Sequence, residues 1–240
     1  MTSINELLAK RDANLFGDPG NEERARKRLN ISTMIGNDFE AFNHIRAHLL
    51  SKKPFKNNIP GKTKIMLGAL TNAGYLKRLN AQEYHPASDD AFQYLKGDWL
   101  EELAFFAMKE AGTDECYFRQ NISWRVGDVE DHQEIDVIAR RGDVLSFTSC
   151  KTADSTKPMG KVTQKYRTFL LEAEYWDRHF TDGKGKVILL VTRDLIDEAN
   201  NHTPRHPTLF ARAEVLDVDL IGLDFFKWSN LVQKFREHWN

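Results

Sequence analysis

The stretch from Gln133 to Thr152, QEIDVIARRGDVLSFTSCKT, constrains the chain more than any other. Two runs rich in β-formers, EIDVIA and DVLSFTSC, flank a tight break at Arg140-Arg141-Gly142-Asp143. Glycine permits the positive φ that short hairpin turns need, so the stretch predicts a β-hairpin. Residues two apart in a strand share a face. Glu134, Asp136 and Ile138 are therefore expected on one side of the first strand, and Ser149 and Lys151 on one side of the second. Folding the hairpin brings Asp136 and Lys151 to one end of a small sheet. A carboxylate placed there suits a hard divalent cation. A neighbouring ammonium suits stabilisation of charge developing on a phosphate. The pair points to metal-dependent hydrolysis of phosphodiesters.

Composition narrows the class. The 240 residues carry 34 basic and 35 acidic side chains, a net charge of −1, so the chain is no bulk polycation. Any nucleic-acid surface must come from local clustering of charge. The two cysteines, Cys116 and Cys150, offer no framework of disulfides, and a reduced cytoplasmic protein is expected. No run of about 18 apolar residues is present, and the N-terminus lacks the apolar core of a signal peptide, so no membrane partner is expected.

Along the chain, Ser3 and Glu6 form a capping box for a short helix over Ile4 to Arg11. Phe39, Phe42, Ile45, Leu49 and Leu50 fall on a helical stripe, with His44 and His48 read as surface histidines. Residues 1–64 contain no clear strand. The loop SKKPFKNNIPGKTK holds Lys52, Lys53, Lys56, Lys62 and Lys64 without an acid. Phosphate contact and a solvated linker are both open readings of it. Two short helices are expected around Gly74. Phe92, Leu95, Trp99, Leu103, Phe106 and Ala107 predict a long helix over residues 92–111, with Glu102 at the edge of its apolar stripe and Glu101 on another face. Strands are expected over Cys116 to Val126 and Lys186 to Thr192, the latter buried and central. His132 reads as a loop residue. A helix over 161–180 follows a polar loop, and Lys157, Lys161, Lys165 and Arg167 near its start fit either a phosphate grip or a solvated face. An edge strand over Val215 to Leu223 and an amphipathic helix over Phe225 to Trp239 close the chain. The α/β order helix, three strands, helix, strand spans residues 92–192.

Three short motifs carry a family resemblance. Asp136 and Lys151 resemble the D-x(n)-D/E-x-K signature of restriction-endonuclease-like nucleases, with Ser149 where an acid stands. Gly97-Asp98-Trp99-Leu100-Glu101-Glu102 resembles the G-x-W-L-E-E helix opening of the CRISPR ancillary nucleases, which join a CARF cyclic-oligoadenylate sensor to a nuclease domain. Glu134-Ile135-Asp136-Val137 resembles their N-E-x-D-V, with Gln133 for Asn, and Cys150-Lys151-Thr152 their E-C-K-T. The resemblance covers residues 65–195 and implies an αβββαβ nuclease core over 91–240, preceded over 1–90 by a mostly helical, winged-helix-like extension. That extension either reads DNA or packs against the nuclease. The family's sensor has no counterpart in this reading. The resemblance further implies Mg²⁺ or Mn²⁺ held by Asp136, Glu102 and the carbonyl of Cys150, Lys151 orienting water or stabilising the phosphate, and Glu134 standing in for the missing acid. Lys52, Lys53, Lys157, Lys161 and Lys165 would touch nucleic acid, DNA or RNA, in a homodimer. Ser149 keeps a rival reading open: a decayed nuclease-like protein that binds nucleic acid or a partner subunit. A helical interaction protein with a merely structural hairpin is a third.

Overall fold

The computed structural model describes residues 2–51, 53–55, 59–152, 159–197, 199–200 and 203–239, with the side chains of 159–163 left aside. In chain order the elements are α1 (Ile4–Ala9), β1 (Ala13–Phe16), α2 (Glu22–Asn37), α3 (Phe39–Ser51), α4 (Gly61–Asn72), β2 (Leu76–Arg78), β3 (Tyr84–Pro86) and α5 (Asp89–Gln93). A π-helical turn, Tyr94–Asp98, leads into α6 (Trp99–Glu110). Then come β4 (Glu115–Val126), β5 (Val129–Arg141), β6 (Val144–Lys151), α7 (Met159–Thr181), β7 (Lys186–Val191), β8 (Ile196–Asp197), β9 (Thr203–Pro204), α8 (Pro207–Val215), β10 (Val218–Ile221) and α9 (Trp228–His238).

Six strands form one mixed sheet in the order β1-β4-β5-β6-β7-β10. The first four strands pair antiparallel, and β6–β7 and β7–β10 are parallel. Parallel pairing needs a crossover, which α7 and α8 provide. The β5–β6 hairpin turns at Gly142, whose φ is +60°. The order α6, β4, β5, β6, α7, β7 matches the element order read from the sequence.

The sheet is covered on both faces. Helix α6 is buried on almost every side: Trp99, Leu100, Leu103, Ala104, Phe105, Phe106, Ala107 and Met108 are all sequestered. A helix apolar all round belongs in a core rather than on a surface. It packs on β4–β6 and is flanked by α2 and α9. Helix α2 approaches closely at Gly36, where a Cβ would sit 2.9 Å from the Phe226 carbonyl oxygen. On the other face α7 covers Ile138, Phe147 and Ile135 together with α1, and α7 with α8 covers β7 and β10.

Several expectations are corrected. Residues 1–64 do contain a strand: β1 pairs with β4 from Ala13↔Trp124 to Phe16↔Asn121. Four residues are too few to show a period. The two short helices expected around Gly74 are present as α4 and α5, the latter capped by Ser88, but the break between them holds the β2–β3 hairpin, which was not expected. The single helix over 92–111 is interrupted by the π-helical turn. His48 is buried, not on the surface: its ring stacks on Phe55 at 4.1 Å, Nε2 lies 3.0 Å from the Tyr84 carbonyl and Nδ1 meets the Lys53 carbonyl. His44 is exposed, as expected. Strict alternation along β5 also fails, because Ile135 and Ile138 share one core while Val137 and Ala139 join the other. The break lies beside Arg119 of β4, whose φ of +50° interrupts the ladder between Phe118↔Val137 and Gln120↔Ile135.

Candidate functional site

The hairpin brings Asp136 and Lys151 together. Thr148 pairs with Val137 at the end of the β5–β6 ladder, so Asp136 and Ser149 are the next positions along the two strands. Asp136 Oδ2 accepts from the Cys150 backbone N–H at 2.6 Å, and Lys151 Nζ lies 3.4 Å from the same oxygen. The ammonium also sits 5.1 Å from the centre of the Phe169 ring of α7. Aromatic contact and a carboxylate together hold the lysine head in one place. The Lys151 carbonyl accepts from the Thr192 backbone N–H at 3.1 Å.

Helix α6 delivers a carboxylate to this group, and it is Glu101 rather than Glu102. Burial, first, and the charge on Asp136, second, push the Glu101 carboxyl up to about 8. Arg119 opposes the shift: its Nε lies 3.5 Å from Glu101 Oε2, and its Nη1 donates to Asp98 Oδ2 at 2.7 Å. Oε2 of Glu101 is buried and has no hydrogen-bond partner among the described residues. Glu102 instead points towards α2. Its Oε1 lies 3.2 Å from Arg28 Nη1, and Arg28 also pairs with Asp90. Burial raises the Glu102 carboxyl to about 7, with Arg28 acting against the rise. Reading Glu102 as the carboxylate beside the hairpin is therefore corrected: the structure places it with Arg28. Arg119 is a residue that the sequence reading missed. No motif marks it, and only the positive φ shows that its place on β4 is special.

The remaining motif residues also meet. Gly97, in the π-helical turn, lies against Thr152, and a Cβ built on it would sit 3.6 Å from Thr152 Oγ1. Thr152 Oγ1 donates to the Lys96 carbonyl at 3.3 Å. Ser149 is 2% exposed, and its hydroxyl has no partner among the described residues. Burial drives the Cys150 thiol well above its ordinary range, with Asp136 adding to the shift, so it is no nucleophile at neutral pH. Glu134 is exposed on β5, and its charge reaches both Glu101 and Arg119. His132 lies in β5 rather than in a loop, exposed and edge-on to Phe16. Of the lysines read as nucleic-acid contacts, Lys165 is exposed on α7. Lys161 lies in α7, with its side chain outside the description. Lys52 and Lys157 fall outside the described residues. Lys53 lines a cavity of 460 Å³ with His48, Tyr84, His85 and Phe92.

Oxygen donors dominate the site: Asp136, Glu101 and the Ser149 hydroxyl. Such a set suits a hard cation such as Mg²⁺ or Mn²⁺ rather than a soft metal. Among the described residues no group of three His, Cys, Asp or Glu side chains is placed to hold a metal. A cation here would therefore lean on two carboxylates, a backbone carbonyl and water. No helix among the described residues is long and apolar enough to cross a membrane.

No family model and no curated protein matches the sequence. Solved structures do match the fold. Protein VC1899 from Vibrio cholerae superposes with a TM-score of 0.68 at 17% identity, covering 97% of this chain and 61% of that one. Can2 from Sulfobacillus thermosulfidooxidans, solved in complex with cyclic tetra-adenylate, superposes with a TM-score of 0.64 at 16% identity, covering 98% of this chain and 60% of that one. At this identity the likeness is one of fold. The chain spans about three fifths of the length of each.

Proposed function

We propose that the protein is a metal-dependent nuclease with a restriction-endonuclease-like core, cutting nucleic acid in CRISPR-associated defence. One observation carries this reading: Asp136 of β5 where its ladder with β6 stops, Lys151 at the end of β6 and Glu101 in the first turn of α6 come from three separate motif stretches, with Lys151 Nζ 3.4 Å from Asp136 and the Asp136 charge acting on Glu101. The fold shared with Can2, together with the sequence motifs, supports the defence setting.

In this reading Asp136, Glu101 and the Cys150 carbonyl hold Mg²⁺ or Mn²⁺. When bound, the ion supplies Lewis acidity towards a phosphate oxygen and lowers the pKa of water. The chain's own groups do the rest. Asp136 is oriented by the Cys150 N–H, which occupies one of its two carboxylate oxygens. Lys151 brings an ammonium to the site, where it orients the attacking water or offsets negative charge on the phosphate. Arg119 offsets the mutual repulsion of Asp98 and Glu101. Exposed Lys165 on α7 and the flanking lysines contact the phosphate backbone.

The test is incubation of single- and double-stranded DNA and RNA with the protein in Mn²⁺, Mg²⁺ or EDTA. Cleavage is expected with Mn²⁺ and not with EDTA. Asp136→Asn and Lys151→Met should each lower the rate by roughly 10²-fold or more. A specific observation favours a second reading. Ser149 supplies a neutral, buried hydroxyl where the nuclease signature has an acid, and a hydroxyl brings no charge to a divalent ion. A protein that binds nucleic acid without cutting it would show salt-dependent binding and no cleavage under any of these metals.

A further inference from the structure

We propose that Arg46, on helix α3, is a positioning residue of the site, clamping the end of β6 that carries Lys151 to the π-helical turn that aims Glu101. The inference rests on the nuclease reading above and adds to it a residue from the helical extension.

The geometry is compact. Arg46 is 7% exposed. Its Nε donates to the Lys96 carbonyl at 3.1 Å, and its Nη2 donates to Thr152 Oγ1 at 3.1 Å. Thr152 Oγ1 in turn donates to the same Lys96 carbonyl at 3.3 Å. The carbonyl has two lone pairs and the hydroxyl has one proton, so Lys96 and Thr152 take part in this triangle without conflict. Lys96 lies in the Tyr94–Asp98 turn, five residues before Glu101. Thr152 directly follows Lys151. One guanidinium therefore ties together the two segments that carry the site's ammonium and its helical carboxylate.

The tie joins a turn of uncommon geometry to a strand end whose ladder continues on the β7 side only. A π-helical turn is rare and usually limited to a single turn within an α-helix. The end of β6 has left the β5 ladder by Ser149, and its anchors there are the Asp136 carboxylate on the Cys150 N–H, the Thr192 N–H on the Lys151 carbonyl, and the last pairings with β7. A planar fork with fixed donor directions can bridge two acceptors, which the single ammonium of lysine does not reproduce. A displacement of about 1 Å at a reacting group can cost roughly 10²-fold in rate.

The experiment uses the whole chain with Arg46→Met, Arg46→Lys, Thr152→Val and the double variant Arg46→Met/Thr152→Val. Thermal unfolding monitored by circular dichroism first confirms that each folds. Two readouts follow: amide hydrogen exchange at Cys150 and Thr192, which needs no activity, and cleavage kinetics with Mn²⁺. The clamp predicts at least about tenfold faster exchange at both amides in Arg46→Met, with partial recovery in Arg46→Lys. It also predicts a fall in kcat with KM little changed, and a double variant no worse than the worse single one, because both remove one shared interaction. Unchanged exchange in Arg46→Met overturns the clamp whatever the activity. Faster exchange with wild-type kcat overturns the positioning role. Additive losses overturn the proposed partnership with Thr152. If the wild type cuts nothing with any metal, the nuclease reading fails and the positioning role fails with it, while exchange still decides whether the clamp exists.

Discussion

Glu101 carries a proton near neutral pH that an ordinary glutamate would have lost. Its carboxyl titrates at about 8 in the folded chain against 4.5 when free, chiefly through burial. Between these values the folded state holds more protons than the unfolded state, so stability falls as pH rises from about 4.5 to 8. Glu101→Gln removes that loss. Calorimetric melting at pH 5 and pH 8 should show the variant gaining stability relative to wild type at the higher pH. An unchanged difference between the two pH values would place Glu101 in solvent. Ser149 gives the complementary case. Ser149→Glu adds a carboxylate at a position 2% exposed, beside Asp136 along the hairpin. Without metal the variant should melt at a lower temperature than wild type, because a buried charge or a second carboxyl near Asp136 is costly. With saturating Mn²⁺ it should melt higher, by mass action on a tighter site. At this scale the sequence was partly legible. Asp136 and Lys151 could be read from the hairpin alone. A single apolar stripe favours Glu102 over Glu101, but α6 is buried on almost every side, so periodicity does not say which face meets the sheet. The π-helical turn also shifts the phase set by Leu95 and Trp99. Arg119 has no signature in sequence at all.

At the scale of elements, α6 is the hub. Trp99 opens it and is fully buried among Phe39, Phe42 and Phe226, at centroid distances of 5.9, 5.7 and 6.3 Å. Trp99→Ala should cost about 3–5 kcal/mol by chemical denaturation, the usual range for a truncated buried aromatic. A cost below about 1 kcal/mol would mean that the aromatic cluster is not a packed unit. Elements with a strong period were visible beforehand: the β5–β6 hairpin, α7, the apolar run of β7 and the amphipathic α9. Short ones were not. Strand β1 has four residues and sits at a sheet edge, and β2 and β3 have three residues each. Their pairing is set by tertiary contact rather than by local pattern.

For the whole molecule, the sequence suggests a helical extension over residues 1–90 and a nuclease-like unit over 91–240. One contiguous core joins residues from both, with Ala25, Ile35, Phe39 and Phe42 packed with Trp99, Leu103 and Phe235. A fragment of residues 91–240 should therefore lack a cooperative melt and a near-ultraviolet circular dichroism signal, having lost β1 from the sheet and α2 from α6. A sharp melt from that fragment would show that the extension is a separate folding unit. The shared core also gives Arg46 its route to the site. The fold likewise matches VC1899 over 97% of this chain rather than over the motif region alone. In the proposed nuclease, Asp136 and Glu101 form one cation site, with Glu102 outside it. Calorimetric titration of Mn²⁺ into wild type, Asp136→Asn, Glu101→Gln and Glu102→Gln tests it most directly. Binding is expected to wild type and to Glu102→Gln, with loss of at least about tenfold in affinity in the other two. Equal affinity in all four proteins, or loss in Glu102→Gln with Glu101→Gln unaffected, would contradict it.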